Sequence, residues 1–347
     1  MKSYAFPGNI NQDILEIGSQ QIPYMRTTEF SYINKDSEEL LLELIHCNKG
    51  KTIIYTGSGT GAMDAVVSNY VSTKQKAFII DGGSFGHRWV ELCNYYKCPN
   101  YVFSVPFGKD IDYEQLEHCI KEIKPDVFLC QHHETSSGQL FNLKRIANIC
   151  NKYNISLVVD VISSFLAEEL NMDELGIDIC ITSTQKGLNI PPGLSILFFS
   201  QKILNHSFAH KGYYFDFGTN LKNLERGQTP FSPATSIYLQ LNKRLHQIKR
   251  YGLENTINDV KQKAIYFREL CNKYQWHIAA EKPSNAITGF YVNKNKDKIF
   301  RSLIEKYNIF IMPGAIPGFF RVSHMGIQSF ADLDELAMLI HKIEEEE

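Results

Sequence analysis

Three stretches of the chain carry the residue types that covalent amine chemistry needs, and each closes a run of apolar, β-forming residues. The first is Ile181-Thr182-Ser183-Thr184-Gln185-Lys186-Gly187-Leu188. A lysine held in a loop at the edge of a sheet becomes a nucleophile suited to Schiff-base chemistry once desolvation or a neighbouring cation lowers its pKa. The second is Leu157-Val158-Val159-Asp160, a carboxylate at the end of a predicted buried strand. Burying that charge is costly unless it meets a cation or strong donors, a protonated ring nitrogen among them. The third is Thr56-Gly57-Ser58-Gly59-Thr60-Gly61-Ala62, between a predicted strand and an amphipathic helix expected to start near Met63. Its glycines let the backbone approach a phosphate, its amides and hydroxyls donate hydrogen bonds, and the helix N-terminus favours an anion. No lysine stands at the Walker position, so a P-loop is excluded.

The same loop also satisfies the loose dinucleotide fingerprint Gly57-x-Gly59-x-x-Ala62, with Asp81 closing the next strand where a ribose-binding acid would stand. An NAD(P)-dependent oxidoreductase is therefore the rival reading. A fourth constellation, His132-His133-Glu134-Thr135-Ser136-Ser137-Gly138, looks at first like a metal site. Adjacent histidines on an extended segment point to opposite sides, and no further His or Cys pair with ligand spacing follows, so no metal is expected. Hydroxyls lining a polar crevice are the better reading of Thr135 and its neighbours.

These loops need a sheet to hold them. Between Lys51 and Ser200, β-rich runs alternate with amphipathic stretches, the pattern of an α/β domain with a mostly parallel central sheet flanked by helices. The predicted strands are Thr52–Thr56, Ala77–Asp81, Tyr101–Val105, Asp126–Gln131, Ser156–Asp160, Asp178–Thr182 and Ser195–Phe199, with helices such as Asp112–Ile123 and Leu143–Tyr153 between them. After the Gly/Pro-punctuated segment Gly218–Pro233 comes a long helical region, Ile237–Tyr274. A strand at Ile287–Val292, a helix at Lys298–Tyr307, short strands at Ile309–Met312 and Phe319–Ser323, and a last helix from Asp332 read as a smaller α+β domain. The expected division is a large domain over residues 1–235 and a small C-terminal domain over residues 236–347.

Composition narrows the partners. With 36 basic and 38 acidic side chains there is no electrostatic case for nucleic acid, and no apolar run approaches the roughly 20 residues of a membrane helix. The first residues lack the apolar core of a secretory signal, so a cytoplasmic protein is expected. The 8 cysteines are scattered singly, without a CxxC pair, and read as buried reduced thiols.

In order and spacing the motifs resemble the class V aminotransferases of the pyridoxal-phosphate fold type I superfamily, in particular the alanine–glyoxylate, serine–pyruvate and 2-aminoethylphosphonate–pyruvate group. The resemblance runs along nearly the whole chain. It rests on Phe6-Pro7-Gly8-Asn9, Gly57-Ser58-Gly59-Thr60, Gly83-Ser84-Phe85-Gly86-x-Arg88-Trp89, His133-Glu134-Thr135-Ser136-Ser137-Gly138, Val159-Asp160, Ser183-Thr184-Gln185-Lys186-Gly187 and Phe320-Arg321-Val322-Ser323-His324-Met325-Gly326. It implies pyridoxal 5'-phosphate as cofactor, with Lys186 as the Schiff-base lysine and proton carrier, and Asp160 on the pyridine nitrogen. It further implies Ser58, Gly59, Thr60 and Gln185 on the phosphate, Phe85 and Ile162 on the two ring faces, and Thr135 on the ring hydroxyl. Phe85 stands where the family often has tryptophan. Arg321 would bind the substrate carboxylate, and Gly8 lies in an N-terminal segment that shapes the substrate pocket.

The implied reaction is ping-pong transfer of an amino group from a small amino donor to a 2-oxo acid such as pyruvate or glyoxylate. The implied assembly is a homodimer in which Thr229 or Ser232 of the partner reaches the phosphate, Thr229 being preferred. A lyase or cysteine desulfurase of the same fold is the alternative within the superfamily. A desulfurase needs a mobile C-terminal cysteine, and the one cysteine after Cys180 is Cys271, in a predicted helix.

Overall fold

The computed structural model describes residues 1–71, 76–209 and 211–346. Seven strands form the central sheet: β1 (Lys51–Thr56), β2 (Ala77–Asp81), β3 (Asn100–Ser104), β4 (Val127–Gln131), β5 (Ser156–Asp160), β6 (Ile179–Ser183) and β7 (Leu194–Phe199). Their order is β1-β7-β6-β5-β4-β2-β3. From β3 to β6 every pairing is parallel, while β7 runs against both of its neighbours, β6 and β1. The carboxyl ends of β1, β2, β4, β5 and β6 therefore share one edge of the sheet. Register aligns Asp160 with Gln131 on one side and Ile181 on the other.

The sheet is covered on both faces, which is why its strands read as continuous apolar runs rather than as alternations. Side chains still alternate between two separate cores, as the pleat requires. Phe78, Ile80, Phe128, Cys130, Leu157 and Val159 join one core. Ala77, Ile79, Val127, Leu129, Val158 and Ile181 join the other. Each fully buried aliphatic side chain contributes roughly 1.5–3 kcal/mol of transfer free energy, so sliding one strand by a residue is strongly disfavoured.

A second sheet of four antiparallel strands lies toward the C-terminus: β8 (His277–Ile278), β9 (Ile287–Tyr291), β10 (Met312–Pro313) and β11 (Phe319–Ser323), in the order β8-β9-β11-β10. Helices Leu253–Lys273, Lys296–Tyr307 and Phe330–Glu345 cover it, and Phe267, Leu303, Leu336 and Ile340 fill its core. The last helix starts with a capping box in which the Ser329 and Asp332 side chains each take the other's backbone amide. Tyr4 packs in this C-terminal core, and Lys2–Ser3 pairs in parallel with Ile309–Phe310.

Several strand and helix ends shift by one or two residues from the sequence expectations, and four differences have a physical reason or change the reading. The helix after the glycine loop starts at Gly59 rather than near Met63, because the apolar period that marks it begins a turn later than its backbone. The stretch Ile237–Tyr274 is two helices, Thr235–Tyr251 and Leu253–Lys273, divided at Gly252, whose φ of 100° leaves the helical region. Tyr238, Leu241, Leu245 and Ile248 of the first of these pack against the large sheet's core. Ile309–Met312 is divided as well, since Ile309–Phe310 pairs with the N-terminus and Met312–Pro313 with β11. The final helix begins at Phe330, two residues before Asp332.

The cysteines are all free, and all but Cys119 are buried. Among the described residues no helix is long and apolar enough to cross a membrane.

Candidate active site

Parallel strands that end side by side open a crevice at their carboxyl ends, and β5 and β6 deliver Asp160 and the Lys186 loop to it. The loop is pinned on several sides. Thr184 donates its hydroxyl to the Pro191 carbonyl at 2.8 Å, the Asn189 amide side chain donates to Asn9 O at 2.9 Å, and Arg244 Nε donates to Leu188 O at 3.0 Å. Gly187 is required by contact: a Cβ there would stand 2.0 Å from the carbonyl oxygen of Phe165. Lys186 Nζ lies 3.6 Å from the centre of the Phe6 ring, whose face accommodates a cation. Burial pulls its pKa from 10.5 down to about 7; the Asp160 charge opposes that shift and the Arg321 charge adds to it.

Asp160 is buried, and its Oδ1 accepts the Ile162 amide at 2.7 Å. Burial pushes its pKa from 3.8 up to about 7, held back by that amide and by the Lys186 and Arg88 charges, and increased by the Glu134 charge. An amine and a carboxyl group both brought toward neutrality at one sheet edge form an acid–base pair able to work near neutral pH.

The glycine loop closes over the same edge. Ser58 occupies the N-cap position of helix Gly59–Asn69, with its side chain exposed and not capping the helix. Gly59 is seated directly on Ile162: a Cβ would come 2.4 Å from Ile162 Cδ1 and 3.4 Å from Ser183 Oγ. That Ser183 hydroxyl is buried and has no hydrogen-bond partner among the described residues. Thr60 Oγ1 accepts from Arg88 Nη1 at 3.2 Å, and the same guanidinium lies 5.1 Å from the centre of the Phe85 ring. Gln185 sits half-buried beside Lys186.

Thr135, in the turn that follows the short strand His133–Glu134, meets Arg321 from the small antiparallel sheet. Arg321, in the middle of β11, donates from Nη1 to Thr135 O at 3.1 Å and from Nη2 to Pro313 O at 3.0 Å, while its buried Nε has no partner among the described residues. Burial lowers its pKa, and the Glu134 charge opposes this. Thr135 donates its hydroxyl to Ser163 Oγ at 2.7 Å. Gly8 is buried against the segment after β11, where a Cβ would meet Met325 O at 2.9 Å. Thr229 belongs to a different hollow, shared with Tyr55, Thr56 and Tyr214, and its hydroxyl donates to Phe231 O at 2.7 Å. Ser232 is exposed.

Three contributors escaped the sequence reading as site residues. Phe6 supplies the ring under the lysine. Arg88 links Phe85 to Thr60 from one turn along the same helix, a three-residue spacing that was readable in retrospect. Glu134 holds a helix start: its fully buried carboxylate accepts the amides of Phe85 and Gly86, at 3.3 and 3.0 Å, and Gln131 Nε2 at 2.9 Å. An anion there satisfies the orphan amides at the start of helix Ser84–Tyr95.

The dinucleotide reading fails on topology. A dinucleotide fold sets the glycine-loop strand beside the strand that carries the ribose acid, both parallel. Here β1 is an edge strand whose neighbour is the antiparallel β7, and Asp81 of β2 instead meets His87 Nδ1 at 2.9 Å. The desulfurase alternative lacks its nucleophile. Cys271 is buried in helix Leu253–Lys273, and burial pushes its thiol up to about 12. A cavity of about 910 Å³, lined by His132, Phe141, Phe165 and Leu253 among others, contains none of the predicted site residues.

The seven-stranded, mostly parallel sheet with a small antiparallel sheet toward the C-terminus is the α/β fold of the type I aminotransferases. The class V aminotransferase family model matches residues 22–331, and the chain belongs to that family, whose members are pyridoxal-phosphate-dependent transaminases. An uncharacterized aminotransferase of Methanocaldococcus jannaschii is 28% identical over 335 residues, covering 92% of this chain and 86% of the relative. A serine–glyoxylate aminotransferase of Hyphomicrobium methylovorum is 27% identical, covering 87% of this chain and 79% of its own length. Among solved structures, an aspartate aminotransferase of Thermus thermophilus superposes with a TM-score of 0.91 at 23% identity, covering 99% of this chain and 98% of that one.

Proposed function

We propose that the protein moves an amino group from a small amino acid to a 2-oxo acid such as pyruvate or glyoxylate, using pyridoxal phosphate in the crevice around Lys186. The observation that carries this reading is the pairing of a desolvated Lys186 amine with a buried Asp160 at the carboxyl ends of adjacent parallel strands. The crevice suits the cofactor in shape as well. Gly59 leaves out the side chain that would collide with Ile162, and Ser183 keeps a buried hydroxyl without a partner beside it.

When bound, the cofactor supplies a carbonyl carbon that amines attack and a ring that withdraws electrons from the substrate Cα. In this reading Ser58, Gly59, Thr60 and Gln185 bind its phosphate, Phe85 and Ile162 cover the ring faces, and Thr135 meets the ring hydroxyl. Asp160 holds a proton at the pyridine nitrogen. Lys186, with a pKa near neutrality, has a large unprotonated fraction and can take the proton from substrate Cα and return it. Arg321, aimed by two carbonyls, binds the substrate carboxylate and so fixes the direction of the Cα–H bond. One arginine serves both substrates because donor and acceptor each carry a carboxylate and occupy the site in turn.

A homodimer, with Thr229 of the partner subunit at the phosphate, completes the proposal. The glyoxylate specificity named for the Hyphomicrobium methylovorum relative makes glyoxylate the first acceptor to test. The test is a half-reaction: protein loaded with pyridoxal phosphate receives alanine, serine or aspartate singly, and the pyridoxamine form and the matching oxo acid are quantified. One donor should yield both in equal amounts, and glyoxylate or pyruvate should then restore the starting spectrum. Release of oxo acid with ammonia, and no pyridoxamine form with any donor, would replace transamination with elimination.

A further inference from the structure

The segment His132-His133-Glu134-Thr135 holds a polar side chain that none of the roles above uses. Residues His133–Glu134 form a short strand antiparallel to Gln139–Leu140, so 133 and 135 project to one face and 134 to the other. The contacts obey that alternation. Glu134 turns to the start of helix Ser84–Tyr95, whereas His133 and Thr135 both turn to Ser163.

Ser163 has a single proton to place. Its Oγ accepts the Thr135 hydroxyl at 2.7 Å and lies 2.8 Å from His133 Nδ1 and 3.4 Å from His133 O, and we assign its own proton to the nearer acceptor, Nδ1. The tautomer follows: the imidazole hydrogen is on Nε2. Burial pushes the His133 pKa down to about 3, the nearby His132, Lys186 and Arg321 charges act in the same direction, and the Ser163 backbone opposes them only in part, so the ring stays neutral.

The Nε2–H is left over. His133 is 2% exposed, and Nε2 is buried with no partner among the described residues. Neither Lys186 nor Arg321, whose charges act on the ring, forms a hydrogen bond with Nε2, and Arg321 Nε is a second buried donor without a partner among the described residues. A buried donor left unmatched is costly, and native proteins rarely keep one without a use. What meets such a set of donors is an oxygen that arrives with a ligand.

We propose that His133 is a ligand-binding residue, its Nε2–H donating to an anionic oxygen of the molecule held between Lys186 and Arg321. The oxygen has two possible sources, a substrate carboxylate or the phenolic oxygen of the cofactor. Naming those sources rests on the aminotransferase reading of the crevice; the unmatched donor does not.

The test uses the cofactor-loaded protein and the variants His133→Phe, which removes the donor, and His133→Gln, which returns an amide hydrogen near the same place. Two quantities are read: the Kd of propionate, an unreactive carboxylate, by calorimetry, and the pH midpoint of the bound-cofactor absorption band without propionate. If the oxygen belongs to substrate, His133→Phe weakens propionate about ten- to a hundred-fold and leaves the band unmoved. If it belongs to the cofactor, the band midpoint moves by about one pH unit and propionate is unaffected. In either case His133→Gln recovers most of the loss. A folded His133→Phe with wild-type values of both quantities overturns the proposal. Should His133→Phe fail to fold, Ser163→Ala decides, because releasing Nδ1 frees the tautomer and must shift one of the two quantities. A wild-type protein with no cofactor band overturns the aminotransferase reading instead, and the propionate arm then decides the role of His133 alone.

Discussion

Asp160 should make the cofactor-free protein less stable than its neutral isostere would, by an amount that grows with pH. Burial raises its carboxyl pKa from 3.8 to about 7. The unfolded chain gives up this proton near 3.8, so between the two values the folded state binds the proton more strongly and stability falls as pH rises. Above about 7 both states are ionised and the loss is complete. Three pKa units correspond to about 4 kcal/mol. Asp160→Asn is uncharged throughout, nearly equal in volume, and keeps an oxygen for the Ile162 amide. In urea unfolding of cofactor-stripped protein at fixed concentration, Asp160→Asn should match wild type near pH 3, exceed it by about 2 kcal/mol at pH 5, and exceed it by about 4 kcal/mol at pH 8. The same variant should have almost no transaminase activity, the expected trade between stability and a strained functional charge. Equal stability at pH 8, or an advantage that does not change with pH, would refute the reasoning.

Three further outcomes follow from particular contacts. Gly187→Ala sets a Cβ against the Phe165 carbonyl at 2.0 Å, a backbone atom that cannot step aside, and should lower stability by about 3 kcal/mol as well as displace Lys186; an unchanged urea midpoint with normal turnover would contradict the packing. Arg321→Ala should raise KM for both amino and oxo acids about a hundred-fold while leaving cofactor affinity intact, and steady-state constants that stay at wild-type values would remove the arginine from substrate binding. Thr229→Val should weaken cofactor binding about ten-fold in a protein that sediments as a dimer; if Ser232→Ala has that effect and Thr229→Val does not, the partner's hydroxyl is the other one.

Much of the site was legible because its residues follow strands directly. A carboxylate after Leu157-Val158-Val159, or a lysine three residues past Ser183, lands at the carboxyl edge of a buried parallel sheet by the periodicity of the strands alone. What was not legible depends on crossings. Nothing in the run Ser195–Phe199 reveals that it enters the sheet antiparallel between β6 and β1, and no local pattern reveals that β7, β6, β5 and β4 all lie between the glycine-loop strand and the strand of Asp81, the separation that ends the dinucleotide reading. Phe6 reaches Lys186 across 180 positions of sequence, a contact no local pattern encodes. Glu134 read at first as part of a metal cluster because its partners are backbone amides of another helix, and amides carry no sequence signature. Gly252 was the readable signal that the long helical region divides, and the apolar spacing on both sides of it hid the break.

The central claim is that Lys186 is the residue that holds the cofactor covalently. The direct measurement is borohydride reduction of the protein with pyridoxal phosphate, followed by peptide mass spectrometry, on wild type and on Lys186→Ala. The account predicts a single modified peptide containing Lys186, accompanied by a protonated Schiff-base absorption band, and neither in the variant. Modification at another lysine, or a band that survives in Lys186→Ala, would contradict it.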